Sequence, residues 1–194
     1  RPLFEDIPNV TTGQFYDYAN NAIDATCRAV VGPLDVGGGV TRTLNIWVED
    51  DCWTFNPANQ KPVYVTSDMV TALADEFLKS GSFNDIYDWV TGMLGAEWGA
   101  HPYTDLIPAN GEITILLCDI DSDESTTGGV VGYFYSRDNV QALYEPYSNE
   151  RVMFTVDAVM YANPDGGGAG WNDTDPWPEE IFSTLAHEFQ HMIH

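Results

Sequence analysis

The stretch Ser183-Thr184-Leu185-Ala186-His187-Glu188-Phe189-Gln190-His191-Met192-Ile193 sets two histidines four residues apart, with a glutamate directly after the first. The residues before it read as a helix start. Asp175 is suited to the N-cap, Pro176 or Pro178 to the first helical position, and Glu179-Glu180 lie favourably against the helix dipole. The spacing predicts one helix from about Pro178 to His194. At 100° per residue, His191 lies about 40° from His187, and Glu180, Ser183 and Thr184 fall within about 60° of it. Phe182, Leu185, Ala186, Phe189, Met192 and Ile193 occupy the opposite side. Such a helix buries one face and turns its histidine face towards a polar space, as a helix flooring a cleft does.

His-Glu-x-x-His on a helix has a specific chemistry. Histidines at i and i+4 are one turn apart, so both imidazoles reach the same tetrahedral Zn²⁺. Glu188 is then placed to take a proton from the water that such an ion activates, and to return it to a leaving amine. A catalytic zinc needs a third protein ligand. His194 lies about 10 Å further along the helix than His187, too far to share the ion. His101 sits in a connector far upstream. The expectation is that the third ligand lies outside these residues.

Working outward from the helix, the chain alternates sheet and helix signals. Asn21 to Val31 concentrates β-formers, and Gly32-Pro33 reads as the end of that run. Thr43 to Glu49 alternates polar and apolar residues, so the two runs predict a hairpin. Thr66-Ser67-Asp68 opens a helix and Lys79-Ser80-Gly81 closes it. Phe83, Ile86, Tyr87, Val90 and Leu94 repeat at helical spacing. Ile113 to Cys118 predicts an internal strand, and Val130–Ser136 and Val152–Met160 two more. Asn163 to Trp177, rich in Gly, Asp and Pro, predicts a loop. The expected fold is α+β, a mixed sheet of about five strands with three helices. Residues 1–40 are expected to form an N-terminal arm and first strand, and residues 41–194 the main body.

Composition narrows the function. The 194 residues carry 30 Asp+Glu against 7 Lys+Arg, a net charge of −23. A surface this acidic repels phosphate backbones, which argues against nucleic-acid binding and against anionic membrane surfaces. No apolar run is long enough to span a bilayer. With 44% hydrophobic and 13% aromatic residues, the chain has ample material for a core. Three cysteines, Cys27, Cys52 and Cys118, exclude a dense disulfide scaffold, and no Cys-x-x-Cys pair argues for a cysteine zinc site.

Residues 183–193 resemble the hyicolysin-type secreted bacterial neutral metallopeptidases. Asn45-Ile46-Trp47-Val48, Gly132-Tyr133-Phe134-Tyr135-Ser136-Arg137-Asp138-Asn139, and Asn149-Glu150 leading into Met153-Phe154 are similar to the same family. The resemblance covers roughly residues 40–194. It implies a secreted, gluzincin-like zinc endopeptidase with a two-lobed zincin catalytic domain, acting on protein or peptide substrates. His187 and His191 would be zinc ligands and Glu188 the general base. The family's third ligand is a Glu on a helix downstream. By that measure the sequence supplies the N-terminal lobe, with the C-terminal lobe and its Glu absent. A different class of reading also fits: a non-catalytic metal-binding or adhesion module, or an inactive remnant of such a protease.

Several weaker signals accompany the motif. Asp119, Asp121 and Asp123 alternate as Ca²⁺ ligands do, although the spacing is not that of an EF-hand. Asp165, Asp173 and Asp175 offer a second acidic group in the Gly-rich loop, for Ca²⁺ or for lining a cleft, and that loop could flex as a lid. Tyr133–Ser136 is the candidate edge strand for pairing with a peptide substrate. Tyr135 and Tyr161 are candidates to assist an oxyanion.

Overall fold

A computed structural model describes residues 11–54, 61–79, 85–165 and 170–193. Six strands form one mixed sheet: β1 (Thr12–Tyr16), β2 (Ala22–Asp35), β3 (Thr41–Glu49), β4 (Glu112–Cys118), β5 (Gly132–Phe134) and β6 (Met153–Asp157). Four α-helices accompany them: α1 (Ser67–Phe77), α2 (Ile86–Leu94), α3 (Ala158–Tyr161) and α4 (Pro176–Ile193). The strand order is β1-β2-β3-β4-β6-β5. β3, β4 and β6 are parallel, while β1, β2 and β5 run antiparallel to their neighbours. The architecture is α+β as expected, with one more strand and one more helix than the periodicity suggested.

The extra helix has a local cause. Val152–Met160 reads as one strand, but the strand stops at Asp157. Its carboxylate accepts from the backbone N–H of Met160 at 2.7 Å and caps α3, so a side chain ends the extended run. The Gly32-Pro33 stop is likewise overridden. β2 continues through it by shifting register between Val31 and Leu34. Gly32 has φ +112°, and a Cβ there would lie 2.6 Å from the Arg42 carbonyl, so this bulge tolerates only glycine. Of the arm and first strand expected within residues 1–40, the chain is described from Thr11 onwards, and from Thr12 it is strand β1.

Strand alternation sorts the two faces of the sheet. Leu44, Ile46, Val48, Ile113, Ile115, Leu117, Phe154 and Val156 face α1, α2 and α4 in the main core. Trp47, Leu116, Cys118 and Met153 face the other way, onto Phe15, Ala25 and Cys27. The start of α1 agrees with the sequence reading, while that of α2 is set by a cap the helical spacing did not name; Phe83, the first residue of that spacing, lies outside the described residues. Thr66 is the N-cap of α1, and Asp85 caps α2 by accepting from the Asp88 N–H at 2.8 Å. The chain then leaves α2 at Gly95, φ +100°. No helix among the described residues is long and apolar enough to cross a membrane.

Candidate active site

α4 packs across the end of the sheet that carries the edge strand β5. Ile181, Leu185, Phe189 and Met192 are buried on its inner side. Phe189 is fully buried and boxed by three rings, Phe77 at 5.4 Å, Tyr87 at 5.5 Å and Phe154 at 5.8 Å between centroids. Aromatic packing of this kind holds the inner side of the helix against the sheet and its neighbours. His187 and His191 are thereby left exposed on the outer side.

The two imidazoles converge. Their Nε2 atoms lie 3.1 Å apart and the rings stand at 85° to one another. Two nitrogens bound at 2.0–2.1 Å to one tetrahedral ion would be about 3.3 Å apart, so the pair fits a shared zinc. Glu188 is half-buried, and its Oε2 accepts from the backbone N–H of Phe134 at 2.9 Å.

That bond ties the helix to the edge of the sheet. The Asp157 N–H donates to the Val131 carbonyl at 2.8 Å, and Tyr133 sits opposite Thr155. By antiparallel alternation, the backbone groups of Gly132 and Phe134 point away from β6, towards the open edge. Close approach of α4 to this strand depends on Gly132. A Cβ there would lie 2.9 Å from the Thr155 carbonyl and 3.0 Å from Thr184 Cγ2 on the helix. The sequence reading placed an edge strand at Tyr133–Ser136; the strand itself is Gly132–Phe134. The Glu188–Phe134 bond was not anticipated, because nothing local to either residue signals it.

A family model for peptidase M30 matches residues 24–194. The chain belongs to the peptidase M30 family. It is also 27% identical over 154 residues to the neutral metalloprotease ShpI of Staphylococcus hyicus. That match takes in 78% of this chain and 27% of the relative, so the chain spans about a quarter of the relative's length. No solved structure matches.

The other candidate residues of this M30 chain are engaged elsewhere. Asp119 is buried, paired with Lys61, and accepts from the Glu124 N–H at 3.2 Å. Asp121 takes the Tyr18 hydroxyl, and Asp123 accepts from the Ser125 N–H at 2.8 Å. Among the described residues no group of three His, Cys, Asp or Glu is arranged to hold a metal. Asp175 turns its carboxylate back to the Asn172 N–H at 2.8 Å. His101 Nε2 lies 2.9 Å from the Ile107 carbonyl, with the ring against Trp98. His194 lies outside the described residues. Tyr161 is fully buried and donates to the Met69 carbonyl at 2.8 Å, which removes it as an oxyanion donor. Tyr135 is partly exposed beside β5, with Arg137 stacked over its ring at 4.5 Å.

Proposed function

We propose that this chain is the N-terminal lobe of a secreted zinc endopeptidase, with residues 41–194 forming the lobe and α4 its active-site helix. The observation that carries the reading is the convergence of the His187 and His191 Nε2 atoms at 3.1 Å, one residue from a carboxylate. Family membership supports peptide-bond hydrolysis, and the relative's name supports a metal.

His187 and His191 would hold the zinc. A third protein ligand comes from outside the described residues, consistent with the chain's matching only 27% of its relative. When bound, the metal supplies a Lewis acid that acidifies a water and polarises the scissile carbonyl. Glu188 takes the proton from the attacking water and delivers it to the departing amine nitrogen. The Phe134 N–H holds one carboxylate oxygen, which leaves the other oriented for proton transfer. The outward backbone groups left at this edge, those of Gly132 and the Phe134 carbonyl, receive the substrate backbone as an added strand, so main-chain bonds give affinity and the side pockets selectivity.

Metal analysis and a Glu188→Gln change in the intact protein test this reading. The expected result is about one zinc per chain, retained in Glu188→Gln with proteolysis lost. Retained activity in Glu188→Gln, or metal binding undisturbed by His187→Ala, would sink it.

A further inference from the structure

Of the three rings around Phe189, Tyr87 has a polar anchor that the other two lack the atoms to make. Its ring stacks on Phe189 at 27°, and its hydroxyl donates to Glu97 Oε2 at 2.8 Å within the core. Glu97 is itself buried, and its other oxygen receives Arg42 Nε from β3. Arg42 also donates through Nη1 to the Thr41 carbonyl at 2.9 Å. A continuous set of directional contacts thus runs from the start of β3, through the connector after α2, to the residue between Glu188 and Gln190. Burial, and next the adjacent Glu97 carboxylate, push the Tyr87 phenol up, so it stays a donor throughout the neutral range.

A buried ion pair is a weak source of stability, because desolvation offsets most of the attraction. A hydrophobic trio would pack α4 equally well. What the polar set adds is direction: the Glu97 fork fixes where the Tyr87 hydroxyl sits, hence the direction of the ring's long axis, hence where the ring bears on Phe189. Phe189 lies on the opposite side of α4 from His187 and His191, so rotation of one is rotation of the others.

We propose that Tyr87, held by Glu97 and Arg42, is a positioning residue that sets the angular placement of His187 and His191. The inference rests on the two histidines being metal ligands. Tyr87→Phe keeps the ring and removes only the anchor. In the intact protein loaded with Co²⁺, Tyr87→Phe is expected to shift the visible ligand-field bands. It is also expected to weaken zinc about tenfold by chelator competition, and to lower kcat by a similar factor with KM unchanged. Glu97→Gln is expected to move all three readouts the same way. Phe15→Leu serves as the comparison, since it opens the core on the opposite face of the sheet; it should lower the melting temperature and leave the bands in place. The proposal is overturned if Tyr87→Phe leaves bands and zinc affinity unchanged, or alters them no more than Phe15→Leu. His191→Ala separates the two levels. If it binds metal normally, the zinc reading itself fails; if it loses metal while Tyr87→Phe is silent, only the positioning role fails.

Discussion

Two acidic regions of this molecule use the same functional group in opposite ways. Along the carboxyl ends of the parallel strands, Glu49 closes β3, Asp119 follows β4 and Asp157 closes β6. Each is turned inward onto backbone donors: Glu49 takes the Asp119 N–H at 2.8 Å, and Asp157 takes Ile120 and Met160 at 3.0 and 2.7 Å. Burial pushes Glu49 up, and pushes Asp157 to about 7. On α4, Glu188 has a single backbone donor among the described residues and is half-buried beside two exposed imidazoles. A carboxylate with both oxygens saturated is a bolt between chain segments. One with an oxygen free, in reach of solvent, is able to move a proton.

The sharpest contrast comes from matched amides. Glu188→Gln is expected to lower kcat by about 10²–10⁴-fold with no loss of melting temperature. Asp157→Asn should leave activity per folded molecule unchanged and, near pH 4 where Asp157 is protonated in the folded chain, cost about 1–2 kcal/mol of stability, because one N–H partner then faces an amide donor. Equal effects of the two on kcat would erase the distinction between the regions.

Gly132→Val tests the spacing between the two elements that meet at Glu188. The added side chain collides with backbone at 2.9 Å and with Thr184 at 3.0 Å. The expected cost is about 1–3 kcal/mol, with a larger fractional loss of activity than of folded protein, measured by denaturant melts alongside peptide hydrolysis.

The smallest effect is a slope. Asp157 and Asp138 have folded values of about 7 and about 6, raised first by burial, against 3.8 for the ordinary carboxyl. Between those limits the folded chain holds protons that the unfolded chain has released. Stability therefore falls as pH rises from about 4, with the Asp138 contribution complete near 6 and that of Asp157 near 7. Asp157→Asn should flatten the upper half of that slope in urea midpoints taken across the range. A slope unchanged by the substitution would show that Asp157 does not carry it.

Much of the fold was legible locally because its signals are local. Thr66 marks a helix start, and Ile113 to Cys118 is nearly all apolar because β4 is buried on both faces. One misreading came where a distant contact overruled the local signal, the other where a side-chain cap three residues away did. Pro33 reads as a terminator, yet β3 pairs across the bulge and carries β2 onward to Asp35. Met160 reads as strand, yet the Asp157 carboxylate claims its N–H. At the site, the i, i+4 spacing sufficed for two convergent histidines, since one helical turn is short-range geometry. Asp119, Asp121 and Asp123 show the opposite case, where spacing suggested a cage and Lys61, Tyr18 and Ser125 took the oxygens instead.

The sequence by itself determined the helix, its buried and open faces, and the chemistry written on the open one, because periodicity and residue type act within a turn or two. Tertiary structure alone decided which backbone donor holds Glu188, which strand lies at the open edge, and what sets the rotation of Phe189. Those depend on residues 54 and 102 positions apart, Phe134 with Glu188 and Tyr87 with Phe189, and no local preference reaches across such a separation.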